Sequence, residues 1–265
     1  MRTAATAVAR ERVIYRPTVL PLHDDNPTRR PAIVTVALIV ACAIVYFFVQ
    51  PSPASSTSAD VLFDYRHAAI PVEIHTAKPV TPCQVVARAC GQPDAAVPIA
   101  PHKRIYLTLL ESMFLHGSIA HLLGNVLFLW IFGNNVEDRL GRVRYLLFYL
   151  AAGVVAALGY SVVNWSSTAP LLGASGAIAG VMGAYLVWFP RARVLTLLAI
   201  LPVRLPAWLV LIGWFVLQFF TGPSSQVAWV AHVTGFLFGV LVGLLVRRSA
   251  PPPNPNAWPP PSGLA

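Results

Sequence analysis

The chain has 265 residues, of which 56% are hydrophobic and only 11% are charged, and its mean hydropathy is +0.65. Soluble domains carry about 25% charged residues, so this composition indicates an integral membrane protein. It argues against a soluble enzyme, a disulfide-rich secreted module and a disordered chain. The net charge of +9 is compatible with nucleic-acid binding, but the arginines are spread between apolar runs and form no single patch. We therefore expect membrane lipid around the chain and no nucleic-acid partner.

Six apolar runs are predicted to cross the membrane as helices. Residues 32–49 are long enough to span a hydrocarbon core about 30 Å thick at roughly 1.5 Å per helical residue. No convincing cleavage site follows them, so this run is predicted to be a signal anchor that stays in the protein. The other runs are 117–136, 145–163, 171–189 and two within 205–246, which the polar turn 221–226 separates. The predicted fold class is an all-α membrane protein, a bundle of six transmembrane helices.

Arginines in the short loops predict the orientation of the chain. They follow the second and fourth runs and are absent after the third and fifth: Arg139, Arg142, Arg144, Arg191, Arg193 and Arg204. Because cytoplasmic loops carry the excess of Lys and Arg, both termini are predicted to be cytoplasmic. The predicted regions are a cytoplasmic N-terminal segment (1–31), a six-span domain (32–246) with a long extracytoplasmic loop at about 50–116, and a proline-rich cytoplasmic tail (247–265).

The three cysteines fall into two environments. Cys83 and Cys90 lie in the long loop, which is an oxidising position if the predicted topology holds. They form either a local disulfide or two reduced thiols, because the sequence does not report the redox state. Cys42 lies in the middle of the first apolar run and is interpreted as a small buried hydrophobic residue without a further role.

Strongly polar side chains within the apolar runs are the candidates for function, because they are costly in lipid. They are few: His116, His121, Asn125, Ser175 and His232. His121 and Asn125 are four residues apart and share one helix face. The runs that contain these residues are the second, fourth and sixth, which all begin at the extracytoplasmic surface in the predicted topology. The five side chains can therefore converge on one side of the membrane.

Ser175 and His232 are predicted to form a nucleophile–base pair. Small residues let helices approach closely, so contact between the face of Gly176 and Gly180 and the face of Gly235 and Gly239 would bring an imidazole nitrogen to the serine hydroxyl. Histidine is the base whose pKa suits proton removal near neutrality.

No Asp or Glu follows Asp138 in the chain, and Glu137 and Asp138 lie at the opposite, cytoplasmic end of their span. The carboxylates of the long loop are remote candidates for a third member. The prediction is therefore a dyad rather than a triad.

His121 and Asn125 are predicted to donate hydrogen bonds to the oxyanion that develops during acyl transfer. The backbone N–H of Ser175 at a helix start is a further donor, and His116 would brace His121 or the adjacent loop. The alternative interpretation is structural, because a histidine or asparagine within a span often makes only an interhelical hydrogen bond. This structural interpretation has the most weight when each residue is considered alone rather than as a member of the cluster.

The order and spacing of four motifs resemble those of the rhomboid intramembrane serine proteases. Residues 116–125 match H-x4-H-x3-N, residues 173–176 match G-x-S-G, and residues 231–235 (AHVTG) and 137–141 (EDRLG) also look familial. The resemblance covers residues 32–246. It implies a bacterial-type core of six helices, with Ser175 as the nucleophile, His232 as the base and later acid, and His121 with Asn125 as oxyanion donors.

The resemblance also implies a substrate gate made by the fifth span and the loop over Ser175, with Trp214, Phe215, Phe219 and Phe220 as candidates. Several family members carry an aromatic residue four positions after the serine, where its ring stacks on the histidine. This chain has Ala179 there. Another group is therefore expected to steady His232, and Gly173, Gly176, Gly235 and Gly239 are expected to support the site.

The predicted function is cleavage of a peptide bond in a transmembrane segment of another protein, with no metal and no cofactor. Substrates are expected to carry helix-weakening residues near the cut, because amides within a helix are already hydrogen-bonded and shielded. The main alternative is a catalytically silent rhomboid-like protein that binds membrane clients. A transporter is less consistent with polar groups confined to one face, and a zinc protease lacks an H-E-x-x-H motif.

Overall fold

The structure is a computed structural model that describes residues 19–51, 58–86, 89–220 and 228–246. The proline-rich tail and the predicted turn at 221–226 lie outside the described residues. The described part is mostly helical, with ten α-helices and three β-strands. Its helices pack around a core that includes the fully buried side chains of Phe132, Tyr145, Tyr149 and Tyr185.

The predicted apolar runs correspond to six of these helices. The helices are α1 (Ile33–Ile44, continued by a π-helical turn over Val45–Val49), α6 (Ile119–Leu140), α7 (Arg142–Val163), α8 (Ser175–Trp188), α9 (Ala207–Gln218) and α10 (Trp229–Val246). Three of them, α6, α7 and α10, are long and apolar enough to cross a membrane. The other three are shorter apolar helices, and at about 1.5 Å per residue the 14 residues of α8 extend only about 21 Å.

Helix α8 lies at the centre of the bundle. Every residue from Gly176 to Tyr185 is buried, because α8 packs against α6, α7, α9 and α10. Its sequence is rich in glycine and alanine, which allows neighbouring backbones to approach from several sides. A residue at the start of this helix is consequently held on a rigid element.

The long loop carries four short helices and packs onto the N-terminal end of α8. They are α2 (Ser58–His67), α3 (Pro71–Thr76), α4 (Pro82–Val85) and α5 (Thr108–Glu111), the last followed by a 3₁₀ turn over Ser112–Phe114. Ala69 forms a β-bridge with Leu171 in the connection that precedes α8. Glu73 and Lys103 form an ion pair with almost no exposed surface. Cys83 and Cys90 form a disulfide, one of the two states that the sequence left open.

A three-stranded antiparallel sheet at the other end of the bundle corrects the all-α prediction. It consists of β1 (Val19–Asp24), β2 (Arg193–Leu198) and β3 (Leu201–Pro206) in the order β1-β2-β3. The residues of β2 and β3 fall largely in the predicted loop after the fourth span, and β1 falls in the predicted cytoplasmic N-terminal segment. Strand β1 precedes the predicted domain boundary at residue 32, and its partner strand lies about 170 positions further along the chain.

The carboxylates of Asp24 and Glu137 form hydrogen bonds between segments at this end of the bundle. Asp24 accepts hydrogen bonds from Asn135 Nδ2 at 2.6 Å and from Tyr185 Oη at 2.8 Å, and its burial raises its pKa to about 6. Glu137 accepts hydrogen bonds from the backbone N–H groups of Val34 and Thr35 at 3.0 and 2.8 Å. It thereby satisfies the free donors at the start of α1 with a negative charge at the positive end of the helix.

Candidate active site

Ser175 and His232 face each other at the starts of two neighbouring helices. Ser175 is the first residue of α8 and His232 is the fourth residue of α10. The Oγ atom of Ser175 lies 2.8 Å from Nε2 of His232, within hydrogen-bond distance. A hydroxyl in contact with an imidazole nitrogen is the arrangement that activates serine for nucleophilic attack.

Glycines on both helices allow this close approach. A Cβ atom on Gly235 would overlap the carbonyl oxygen of Gly176, and one on Gly239 would overlap that of Gly180. On its other side Gly176 meets Ala156 of α7, where an added Cβ would lie 2.6 Å from the Ala156 Cβ. The glycine faces that the sequence analysis identified are therefore in direct contact, and larger residues would separate Ser175 from His232.

Gly173 brings the connection before α8 against His121 and Asn125. Its φ angle is +116°, a conformation that residues with a Cβ rarely adopt. A Cβ at this position would lie 2.7 Å from the Nε2 atom of His121 and 3.6 Å from the Nδ2 atom of Asn125. The backbone two residues before Ser175 thus lies directly beside the polar face of α6.

Asn125 is buried, with 8% of its surface exposed, and its Nδ2 atom has no hydrogen-bond partner among the described residues. Buried donors in folded proteins are nearly always paired, so such an atom requires an explanation. His121 lies one helical turn earlier on the same face, and Ser118 accepts a hydrogen bond from the His121 backbone N–H as the N-cap of α6. The arrangement can offer the Asn125 amide to an oxygen of a bound substrate.

His116 is completely buried beside this face. Its backbone N–H donates to the side-chain oxygen of Gln50 at 2.9 Å, and its Nδ1 lies 3.2 Å from the carbonyl oxygen of Phe114. Its ring contacts that of His121 edge-to-face, with 5.2 Å between the ring centroids. His116 therefore packs against His121 and connects it to the end of the first apolar helix.

A residue that the sequence analysis did not identify contacts His232 from the other side. The Oε1 atom of Gln218, on α9, lies 2.7 Å from Nδ1 of His232. The Trp214 ring packs near the same imidazole, with 5.7 Å between centroids, whereas Ala179 is fully buried. The signal was present, because Gln218 is the strongly polar residue in the apolar run 207–220 and such residues are functional candidates by default.

The four candidate gate residues, in α9 and directly after it, divide into two groups. Trp214 and Phe215 pack on Phe236 of α10, with centroids 6.2 and 4.7 Å from its ring. Phe219 lies beside Trp229, whereas Phe220 is 71% exposed. Trp214, Phe215 and Phe219 thus pack against residues of α10, and Trp214 also lies next to His232.

The described residues contain no group of three or more His, Cys, Asp or Glu side chains arranged to hold a metal ion. The chemistry that the site itself offers is nucleophilic, with a serine hydroxyl, an imidazole in contact with it, and an amide donor close to the serine loop. This set of groups is suited to acyl transfer.

Comparison with known proteins places these residues within one family domain. Residues 103–249, more than half of the chain, match the family model of the Rhomboid domain. The chain is 30% identical over 155 residues to "Rhomboid protein 1, mitochondrial" of Saccharomyces cerevisiae, an alignment that covers 54% of this chain and 42% of that protein. It is 28% identical over 215 residues to "RHOMBOID-like protein 1" of Arabidopsis thaliana, covering 81% and 52%.

A third similar protein is "Rhomboid protease GlpG" of Yersinia pestis, which is 31% identical over 137 residues. That alignment covers 52% of this chain and 47% of the relative. The chain therefore spans about half the length of the relatives it matches.

Proposed function

Because the chain belongs to the rhomboid family, we propose that it is a serine endopeptidase that cleaves transmembrane segments of other membrane proteins. The observation that carries the proposal is the 2.8 Å contact between Ser175 Oγ and His232 Nε2. Relatives named as rhomboid proteases support a hydrolase of this kind. Loss of either side chain would be expected in a silent, client-binding member, and this chain retains both.

In the proposed reaction, Nε2 of His232 takes the hydroxyl proton of Ser175 as Oγ bonds to the carbonyl carbon of the scissile peptide. The carbonyl oxygen becomes an oxyanion, and Asn125 Nδ2 and His121 Nε2–H donate to it. The Ser175 backbone N–H at the start of α8 is a third donor. His232 then gives its proton to the leaving amine, and the acyl-enzyme forms as the carbon–nitrogen bond breaks.

Hydrolysis of the acyl-enzyme repeats these steps with water as the nucleophile. His232 takes one proton from the water while its oxygen bonds to the acyl carbon, and then returns the proton to Ser175 Oγ as the ester bond breaks. The unpartnered amide of Asn125 supports this scheme. A donor that is buried and unpaired before the substrate arrives needs no reorganisation at the moment when charge develops.

The proposed membrane arrangement has six spans, with the helix starts at Ser175 and His232 facing the extracytoplasmic side. Helices α1, α8 and α9 would serve as the shorter spans beside α6, α7 and α10. The arginines that follow α6 and α8, together with those of the sheet, favour the cytoplasmic side for the opposite end. We also propose that residues 1–18 and the tail 247–265 are cytoplasmic and that the whole lies in the cell membrane.

Substrates are proposed to be single-span or other transmembrane proteins whose helix is weakened near the cut. An amide within a regular helix is hydrogen-bonded to the preceding turn and cannot easily present its carbonyl to Ser175. Glycine, proline or polar residues near the scissile bond lower the cost of unwinding it. A small residue directly before the cut is the expectation that the family resemblance adds.

The test is cleavage of a model single-span substrate by the purified protein in detergent, beside Ser175→Ala and His232→Ala. Ser161→Ala is the matched control, because that hydroxyl donates to the Ala157 carbonyl within α7. We expect cleavage by the wild type and by the control and none by the two site variants. Cleavage that survives both site variants would contradict the dyad. A wild type inert towards several substrates and towards a fluorophosphonate probe would favour the client-binding alternative.

A further inference from the structure

His232 is held between two polar partners on different helices. Its Nε2 faces Ser175 Oγ at 2.8 Å, and its Nδ1 faces Gln218 Oε1 at 2.7 Å. Gln218 is itself buried, with 7% of its surface exposed. An imidazole with a partner on each nitrogen has a defined ring orientation, because rotation about its side chain would break both contacts.

The second contact of the Gln218 amide determines which of its two polar atoms faces the histidine. Its Nε2 donates a hydrogen bond to the carbonyl oxygen of Trp214, one helical turn earlier, at 3.1 Å. Its oxygen is therefore the atom directed at His232. An amide oxygen only accepts, so Nδ1 of His232 carries the hydrogen, and its Nε2 has the lone pair that receives the hydroxyl proton of Ser175.

No carboxylate on the surrounding helices competes for this position. The sequences of α7, α8 and α9, which pack against α10, contain no Asp or Glu, and neither does α10 itself. In serine hydrolases with a triad, an acid accepts from Nδ1–H and keeps the imidazole in the productive tautomer. Here the atom in that location belongs to a neutral amide.

We infer that Gln218 is the positioning residue of the dyad, whose amide oxygen keeps His232 in the Nδ1–H tautomer with Nε2 directed at Ser175. The inference rests on the proposed function and deepens it. A neutral acceptor performs the orienting part of the acid's role without placing an unpaired carboxylate in an apolar helix, which would be costly. Because Gln218 belongs to α9, the orientation of the base depends on a helix that carries neither catalytic residue.

The test compares Gln218→Met with Gln218→Glu in the full chain, using a model single-span substrate in detergent. Methionine has a similar length and volume but no acceptor oxygen, whereas glutamate retains one at the same distance along the side chain. We expect Gln218→Met to lower kcat by about tenfold or more while KM stays within about twofold, since the tautomer matters for proton transfer and not for substrate binding. We expect Gln218→Glu to keep kcat within about threefold of the wild type.

Leu217→Met is the matched control, because it introduces the same side chain at the adjacent, exposed position of α9. Rates are normalised to the sites that a fluorophosphonate probe titrates at completion, so that unfolded protein does not count. Unchanged kcat in Gln218→Met would overturn the inference. An equal loss of kcat in the Met and Glu variants would also overturn it, because a purely packing role does not distinguish them by the acceptor. Absence of Ser175-dependent cleavage in the wild type would instead refute the proposed function.

Discussion

A Cβ atom on Gly235 would overlap the carbonyl oxygen of Gly176, one residue beyond the nucleophile. This contact sets the separation of α8 and α10 at the level of Ser175 and His232. The 2.8 Å distance between the two side chains is therefore a consequence of backbone packing as much as of the residues themselves. The geometry of the site and the stability of the bundle depend on the same glycines.

Gly235→Ala should reduce both stability and activity. The added methyl group must push α10 away from α8, and overpacking of this kind costs about 1–3 kcal/mol. We expect a lower midpoint of thermal unfolding in detergent and loss of most of the cleavage activity. Gly213→Ala is the control, because an added Cβ on that residue of α9 meets nothing within 4 Å. Equal behaviour of the two variants would contradict the packing argument.

Gly173→Ala should impair catalysis beyond its effect on stability. Its φ of +116° disfavours alanine, and the new Cβ would press on the His121 ring at 2.7 Å. Gly141→Ala separates the two effects, since Gly141 also has a positive φ, +76°, but open space around its Cβ position. Thermal unfolding should show a loss in both variants, and kcat should fall only for Gly173→Ala. A comparable loss of kcat in both would show that strain alone is responsible.

Asn125→Leu should lower activity without lowering stability. The Nδ2 atom of Asn125 has no partner among the described residues, so its removal forfeits no hydrogen bond of that amide group. If the atom donates to the oxyanion, its loss should reduce kcat by about 100- to 1,000-fold. The midpoint of thermal unfolding should stay the same or rise. A destabilised variant with near-normal kcat would support the alternative that Asn125 is only a structural group.

The stability of the end of the bundle that carries the three-stranded sheet should depend on pH through Asp24. Burial raises the pKa of this carboxyl from 3.8 to about 6, so the folded state favours its protonated form. The corresponding stabilisation is fully present below about pH 4 and is lost as the pH rises through about 6, amounting to about 3 kcal/mol at most. Asp24→Asn keeps an acceptor for Asn135 and Tyr185 without the charge.

We therefore expect the unfolding midpoint of the wild type, relative to that of Asp24→Asn, to fall as the pH is raised from 4 to 7. Asp25→Asn controls for removal of a carboxylate from the same segment, where Asp25 pairs with Arg204 at the surface. Parallel curves for the wild type and Asp24→Asn across this range would contradict the prediction.

Much of the fold followed from hydropathy alone. The six apolar runs correspond to helices, and α6, α7 and α10 have the length and composition of membrane spans. The rhomboid family, inferred from the motifs around Ser175 and His232, is confirmed by the match over residues 103–249. The count of six spans and the roles of the site residues remain predictions, and the cleavage experiments above test the roles of the site residues.

The features that the sequence did not predict have a common cause: they depend on contacts between distant segments. The strands β1 and β2 are separated by more than 160 positions, and a strand of six residues beside apolar helices has little signal of its own. Glu137 lies near the end of α6, as the hydropathy pattern predicts, but its hydrogen bonds from the backbone N–H groups of Val34 and Thr35 depend on the packing of α1 against α6. Neither relationship can be read from local periodicity.

The sequence by itself determined that the chain belongs in lipid and which side chains could perform chemistry there. Both conclusions come from composition, since a polar residue in an apolar run is costly wherever the run packs. Only the tertiary structure decided that Gln218 contacts His232, because that contact requires α9 and α10 to pack at one particular height and rotation. The chemistry of a side chain makes it a candidate for a functional pair. Which pairs form depends on the three-dimensional packing of distant segments.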